Sequence, residues 1–254
     1  KRILGITATL ALLPLSVHLL TIASAGTPQV YYLGDWPAPF GIVLVLDRLS
    51  ALMLALCATL SAASVLHAAT GDDARGPHFH ALFQFQLLGI NGAFLTGDLF
   101  NLFVFFEILL IASYCLLMHG ANAARIRAAL HVVVLNLTGS ALFLIALGLI
   151  YAVFGSLNMA DLARRVAAAP EHADGLMQAG GLLLLVVFGL KSAFVPLGFW
   201  LPNAYRAATA SVACLFAIMT KVGVYAILRV HLMIYGETAG PWVSLAEPWL
   251  LPLG

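Results

Sequence analysis

Seven long, mostly apolar runs follow one another along the chain, at 3–25, 48–69, 78–96, 98–119, 128–154, 176–203 and 209–235, and an eighth starts near Pro248. Each is long enough to cross a hydrocarbon core roughly 30 Å thick as a helix. Inside a bilayer every backbone N–H and C=O must be satisfied within the protein, so a spanning segment is a helix or a strand of a closed barrel. Alternating strand patterns of about ten residues do not recur here. The expected fold is therefore all-α: a polytopic membrane helix bundle of about seven transmembrane helices. Composition agrees, since 9% of residues are charged against about 25% in a soluble domain. A formal net charge of +1, with no basic run, speaks against a nucleic-acid partner. Cys57, Cys115 and Cys214 lie in apolar runs without metal-ligand spacing. They read as core residues, and no metal site or other cofactor is expected.

Lys1 and Arg2 precede the first run, and Ala23-Ser24-Ala25 resembles a signal cleavage site. The run is longer than a signal h-region of about 7–15 residues, so a retained helix is expected. The absence of a starting Met and the apolar ending EPWLLPLG suggest a fragment, with 1–254 as a single membrane domain. The loop 26–47, rich in Pro, Gly and aromatics, reads as a short hairpin or interfacial loop. Residues 155–174 are the one extended polar stretch, and Leu157, Leu162 and Val166 suggest an interfacial amphipathic helix there. Lys1, Arg2, Arg75, Arg125, Arg127 and Arg206 collect on one side, and Arg48, Arg164, Arg165 and Arg229 on the other. That bias places the start of the first span in the cytoplasm.

Three charges fall deep in apolar sequence: Glu107, Lys191 and Lys221. Glu107 lies about 13 Å along its helix from Asp98, near mid-membrane. Its helical neighbours Phe103, Val104, Leu110 and Ile111 offer it no partner. A buried ionisable residue costs at least about 2.5–3.5 kcal/mol on insertion scales, so it is paired or lines a polar path. Two readings stay open: a static Glu–Lys pair pinning helices, or a proton relay in which the charge on one group sets how readily its neighbour holds a proton. The sixth run is too long for one straight span. Pro196, five residues after Lys191, has no N–H for the Ser192 carbonyl, so a break is expected just beyond the lysine. Broken helices at this depth line cavities and mark ion sites in transporters. Tyr225 and His231 are candidate relay groups after Lys221. Gln84, Gln86, Asn91 and Asn136 fit either a water path or interhelical hydrogen bonds.

Several segments together resemble the D subunit of Mrp-type cation/proton antiporters. They are TGDLFNLFVFFEILLIASYCLL (96–117), GLKSAFVPLGFWLPNAY (189–205), MTKVGVYAILRV (219–230), YYLGDWPAPFGIVLVLDRLSALML (31–54) and GSLNMADLA (155–163). The wider superfamily includes the antiporter-like membrane subunits of respiratory complex I. The resemblance implies an inverted-repeat fold, with 78–235 as its first five-helix repeat and the second repeat beyond this chain. It also implies that Glu107, Lys191 and Lys221 carry proton translocation, with the break at Pro196. The implied function is a proton-translocating subunit of a multi-subunit sodium or potassium/proton antiporter in the bacterial cytoplasmic membrane. Its partners would be other antiporter subunits, the bilayer, protons and the exchanged cation. The alternatives are a proton-pumping subunit of an NADH-quinone oxidoreductase or hydrogenase-linked complex, and a scaffold that has lost transport. This chain has Asn203 where the family usually has an aspartate, and Tyr205 to Ser211 where it has a proline-rich turn. A proton entry relying on an acid at 203 does not carry over.

Overall fold

The structure, a computed structural model, describes residues 1–120, 122–168, 174–237 and 239–253. The helices are α1 (Arg2–Ser24), α2 (Arg48–Ala68), α3 (Phe79–Leu95), α4 (Leu99–Leu117), α5 (Ala123–Phe154), α6 (Met159–Ala167), α7 (Asp174–Ser192), α8 (Leu201–Ala207), α9 (Ala210–Ile234) and α10 (Glu247–Leu253). Strands β1 (Gln29–Tyr32) and β2 (Val43–Leu46) pair antiparallel, Gln29 opposite Leu46 and Tyr32 opposite Val43. Six helices, α1, α2, α4, α5, α7 and α9, are long and apolar enough to cross a membrane. The remaining apolar run, 78–96, is α3, whose 17 residues reach about 26 Å. The chain is an all-α, multi-pass membrane bundle with one small hairpin.

Polar residues start the helices. Asp47 accepts from the Ser50 amide at 2.9 Å while Ser50 Oγ accepts from the Asp47 amide at 2.8 Å, a reciprocal cap on α2. Asp98, Asn122 and Asn158 cap α4, α5 and α6 in the same sense, each accepting from the backbone amide three residues on. The hairpin braces the tight α3–α4 turn, because the Gly97 amide donates to Val43 O at 2.9 Å. The chain entering α6 braces its other side, the Leu99 amide donating to Leu157 O and the Met159 amide to Gly97 O. Met159, Leu162 and Val166 of α6 are buried, and Arg164 and Arg165 turn out to pair with Asp161 at 3.3 and 2.8 Å. The amphipathic helix is shorter than the 155–174 stretch, and residues 169–173 of that stretch lie outside the described residues.

Two expected boundaries move. The fifth helix begins at Ala123, ahead of 128, because Asn122 caps it and Arg125 bonds the carbonyls of His119, Gly120 and Ala207. Charged residues can extend a helix beyond its apolar stretch. The 176–203 run does not continue as one helix. It stops at Ser192, passes through a turn that holds Pro196, and resumes as α8. At the stop Ala193 has φ +60°, its amide donates to Leu190 O, and the Phe194 amide donates to Gly189 O. This is a Schellman ending with alanine in the left-handed position glycine usually takes. The Trp200 indole N–H returns to the same Leu190 carbonyl at 3.1 Å, a second donor to that acceptor at the helix end. At the centre, α9 packs against α2, α3, α4, α6 and α7.

Candidate functional site

Lys191 is the last charged residue before the break, and its side chain is almost fully buried. Its Nζ donates to three acceptors on α5, Asn136 O, Asn136 Oδ1 and Ser140 Oγ, each at 3.4 Å. The Asn136 amide donates to Val132 O at 2.9 Å, which turns its Oδ1 toward the lysine. The Ser140 hydroxyl donates in turn to Glu107 Oε1. Among the described residues no direct ion pair joins Glu107 to Lys191. The expected contact between the two is thus corrected to a bridge of ammonium, hydroxyl and carboxylate. The contacts to Lys191 are longer than the 2.7–3.2 Å of ordinary N–H···O bonds. The ammonium is surrounded by acceptors without being clamped by any one.

The elements fix this bridge. Asn136 and Ser140 stand four residues apart and share one face of α5. Gly139 beside them lets α7 come close, since a Cβ there would lie 2.7 Å from Leu190 Cδ2. On the other flank Gly223 of α9 faces Ser192, whose Oγ would be 2.3 Å and whose amide N 2.8 Å from an added Cβ. Phe106 lies under the lysine, its ring centroid 5.9 Å from Nζ, where the ring face attracts the cation. Phe106 also packs with Phe143 and Phe188, at centroid separations of 6.1 and 6.2 Å. The bridge therefore sits on an apolar floor.

Lys221 is elsewhere. It is exposed on α9, and among the described residues its Nζ donates only to the neighbouring Thr220 Oγ1, at 3.3 Å. It lies two residues from Gly223, hence at about the same level as Lys191. Two residues turn a helix by about 200°, so α9 itself stands between the two lysines. Glu107 and Lys191 therefore share one site, while Lys221 points out of the bundle on the other side of α9.

The two relay candidates also have other partners. Tyr225 is buried and donates to Phe94 O at 2.6 Å, while accepting from Arg229 Nε and a terminal guanidinium nitrogen at 3.0 and 2.8 Å. Arg229 grips Asp47 through both terminal nitrogens, at 2.5 and 2.9 Å. Burial raises the Asp47 pKa, but the Arg229 and Ser50 hydrogen bonds and the guanidinium charge outweigh it and hold the carboxyl at about 2. Tyr225 thus belongs to a latch between α2, α3 and α9. His231 is buried against α7, its Nε2 donating to Gly181 O at 3.3 Å and its ring stacked on Tyr235. It lies about 15 Å along α9 from Lys221, beside Phe188 at 6.5 Å, so the aromatic floor separates it from Lys191. Ser140 is a site residue that sequence reasoning misses. The only signal for it is the i, i+4 register with Asn136.

Residues 96–247 match a family model described as NADH:quinone oxidoreductase/Mrp antiporter, TM. The D subunit of a probable K(+)/H(+) antiporter of Rhizobium meliloti (strain 1021) is 51% identical, over all of this chain and 48% of that relative. The D subunit of a Na(+)/H(+) antiporter of Bacillus subtilis (strain 168) is 44% identical, over 82% of this chain and 42% of its own length. The chain thus spans about half the length of the curated relatives it matches. Among solved structures, a chain of the Mrp complex from Dietzia sp. DQ12-45-1b superposes with a TM-score of 0.84 at 32% identity, over 92% of this chain and 45% of that one.

Proposed function

The chain belongs to the NADH:quinone oxidoreductase/Mrp antiporter transmembrane family, and from that premise we propose that it is part of a proton-translocating subunit of a multi-subunit cation/proton antiporter. The exchanged ion is sodium or potassium, and the setting is a bacterial cytoplasmic membrane. Residues 78–235 form the first repeat of an inverted-repeat subunit. The observation that carries the reading is the buried Lys191 beside a helix break, joined to Glu107 through the Ser140 hydroxyl. A proton on Lys191 is stabilised by the Glu107 charge and destabilised when that charge is neutralised or moves away. Such a pair can load and release a proton with small shifts of α7 against α5. Lys221 takes the proton onward, on the far side of α9. Its side chain is exposed, free to exchange a proton with groups outside the described bundle.

The test is cation-dependent collapse of an imposed pH gradient in inverted vesicles carrying the full-length subunit in its complex. No electron donor is present, so exchange there supports an antiporter over a quinone-linked pump. Abolished sodium- and potassium-dependent exchange in both Glu107→Ala and Lys221→Ala, at normal expression, is expected. Intact exchange in both variants contradicts the relay. No exchange in the unmutated complex without an electron donor contradicts the antiporter assignment.

A further inference from the structure

A second polar feature lies at the end of the bundle where α5 begins and α8 ends. A cavity of about 400 Å³ there is lined by Arg127, Ala128, His131, Asn203, Arg206 and Ala207. Its lining carries two guanidinium groups and an imidazole, and no carboxylate. Neither Arg127 nor Arg206 has an ion-pair partner among the described residues. Several other arginines are matched: Arg2 with Asp73, Arg75 with Asp72, Arg164 and Arg165 with Asp161, Arg229 with Asp47. Two uncompensated cations facing one concavity set up a potential that repels a cation or an excess proton and attracts an anion.

The surroundings select the kind of anion. Arg127, Leu130, His131, Val134 and Leu137 follow one face of α5 at helical spacing. Leu130, Val134 and Leu137 are exposed. Across from them, Val195 and Phe199 of the break segment are exposed too, and the Phe199 ring meets His131 edge-on at 5.8 Å. An apolar strip therefore runs from the cationic cavity along the bundle toward mid-membrane. A polar mouth that binds anions, above an apolar strip one to three turns long, has the anatomy of an anionic phospholipid: phosphate in the cavity, acyl chains along the strip. A free phosphate would use the mouth and leave the strip bare.

We propose that this cavity binds the headgroup of an anionic phospholipid in the leaflet at the Lys1 end of the bundle. The phosphate would lie between Arg127 and Arg206, with His131 and Asn203 as further donors. Because α8 forms one wall of the cavity, the lipid would brace the broken helix from outside. The neutral amide at 203 matters, since a carboxylate there would cancel one of the two guanidinium charges. The inference rests on the membrane assignment and is independent of whether the complex exchanges ions.

The experiment uses the full-length subunit in its purified complex, delipidated and incubated with phosphatidylglycerol, phosphatidylcholine or inorganic phosphate. Retained lipid is quantified by mass spectrometry. Phosphatidylglycerol should be retained over phosphatidylcholine, and excess inorganic phosphate should not displace it. At roughly a factor of five per basic residue, Arg127→Gln with Arg206→Gln should weaken retention about thirty-fold. Asn203→Asp, a near-isosteric change at an exposed position, should weaken it about fivefold and guards against misfolding of the double variant. Equal retention of the two lipids, or Asn203→Asp binding phosphatidylglycerol like the unmutated protein, overturns the proposal. So does displacement by inorganic phosphate, which would mark a free-anion site. A photoreactive residue at 206 crosslinking to an acidic segment of a partner subunit, in place of lipid, overturns it as well.

Discussion

Ser140 joins the half-buried Glu107 to the buried Lys191, and a single oxygen atom does so. With Ser140→Ala the Glu107 carboxylate loses a hydrogen bond and Lys191 loses one of three acceptors. Hydrogen bonds to charged groups contribute about 1.5–3 kcal/mol each. The exchange rate should fall at least about tenfold, and Ser140→Thr, which restores a hydroxyl, should recover most of it. Vesicle exchange assays on the two variants check this, and equal activity in Ser140→Ala and the unmutated protein would remove the bridge from the mechanism. The charged members of the site are legible in sequence because an ionisable residue in an apolar run stands out. Ser140 is not, because a serine among Thr138, Gly139 and Ala141 looks like any small residue that lets helices approach. Its role comes from which face of α5 meets α7, and one-dimensional spacing does not report that.

The element that matters most is the interrupted helix. Pro196 announces the break, but not how α7 ends. The ending depends on Ala193 in a left-handed conformation and on Trp200 reaching back to Leu190 O. Alanine there costs roughly 1–2 kcal/mol relative to an unstrained backbone. Ala193→Gly should therefore raise the stability of the purified protein by about 1 kcal/mol, offset in part by greater freedom of the unfolded chain. A higher apparent Tm in detergent is the expected readout, and a lower one would contradict this ending. The reverse holds at Gly223. A methyl group there would meet the backbone of α7 at Ser192 N and Phe188 O, 2.8 and 3.0 Å away. Gly223→Ala should push α7 from α9 and lower stability by about 1–3 kcal/mol, seen as a fall in the same Tm.

At the scale of the whole molecule, the hairpin, α2, α3 and α9 are locked by Asp47, Arg229 and Tyr225. The spans and their order are readable from apolar run length, because bilayer thickness sets that length directly. The latch is not, since Asp47 and Arg229 are 182 residues apart and each passes as an ordinary charge at a span end. The same blindness hides the partners of Tyr225 and the direction in which Lys221 points. Composition gives a residue's depth more readily than its direction around a helix. The Asp47 carboxyl titrates at about 2 in the folded protein, below its usual value of about 3.9. Its stabilising contribution is full above about pH 4 and is lost as pH falls through about 2. Asp47→Asn leaves the half-buried Arg229 only partly satisfied. It should cost about 3 kcal/mol at neutral pH and flatten the acid limb of the Tm–pH curve, and an unchanged curve would contradict the latch.

The central claim at this scale is that Glu107 and Lys191 act as one unit inside the bundle. A double-mutant cycle in exchange-competent vesicles tests it most directly, with Glu107→Gln, Lys191→Met and the pair combined. If the two residues form a unit, each single change abolishes most of the proton-coupled cation exchange, and the double variant is no worse than the more damaged single one. If the logarithmic losses of the single variants simply add in the double, Glu107 and Lys191 work independently and the bridge through Ser140 has no part in moving the proton.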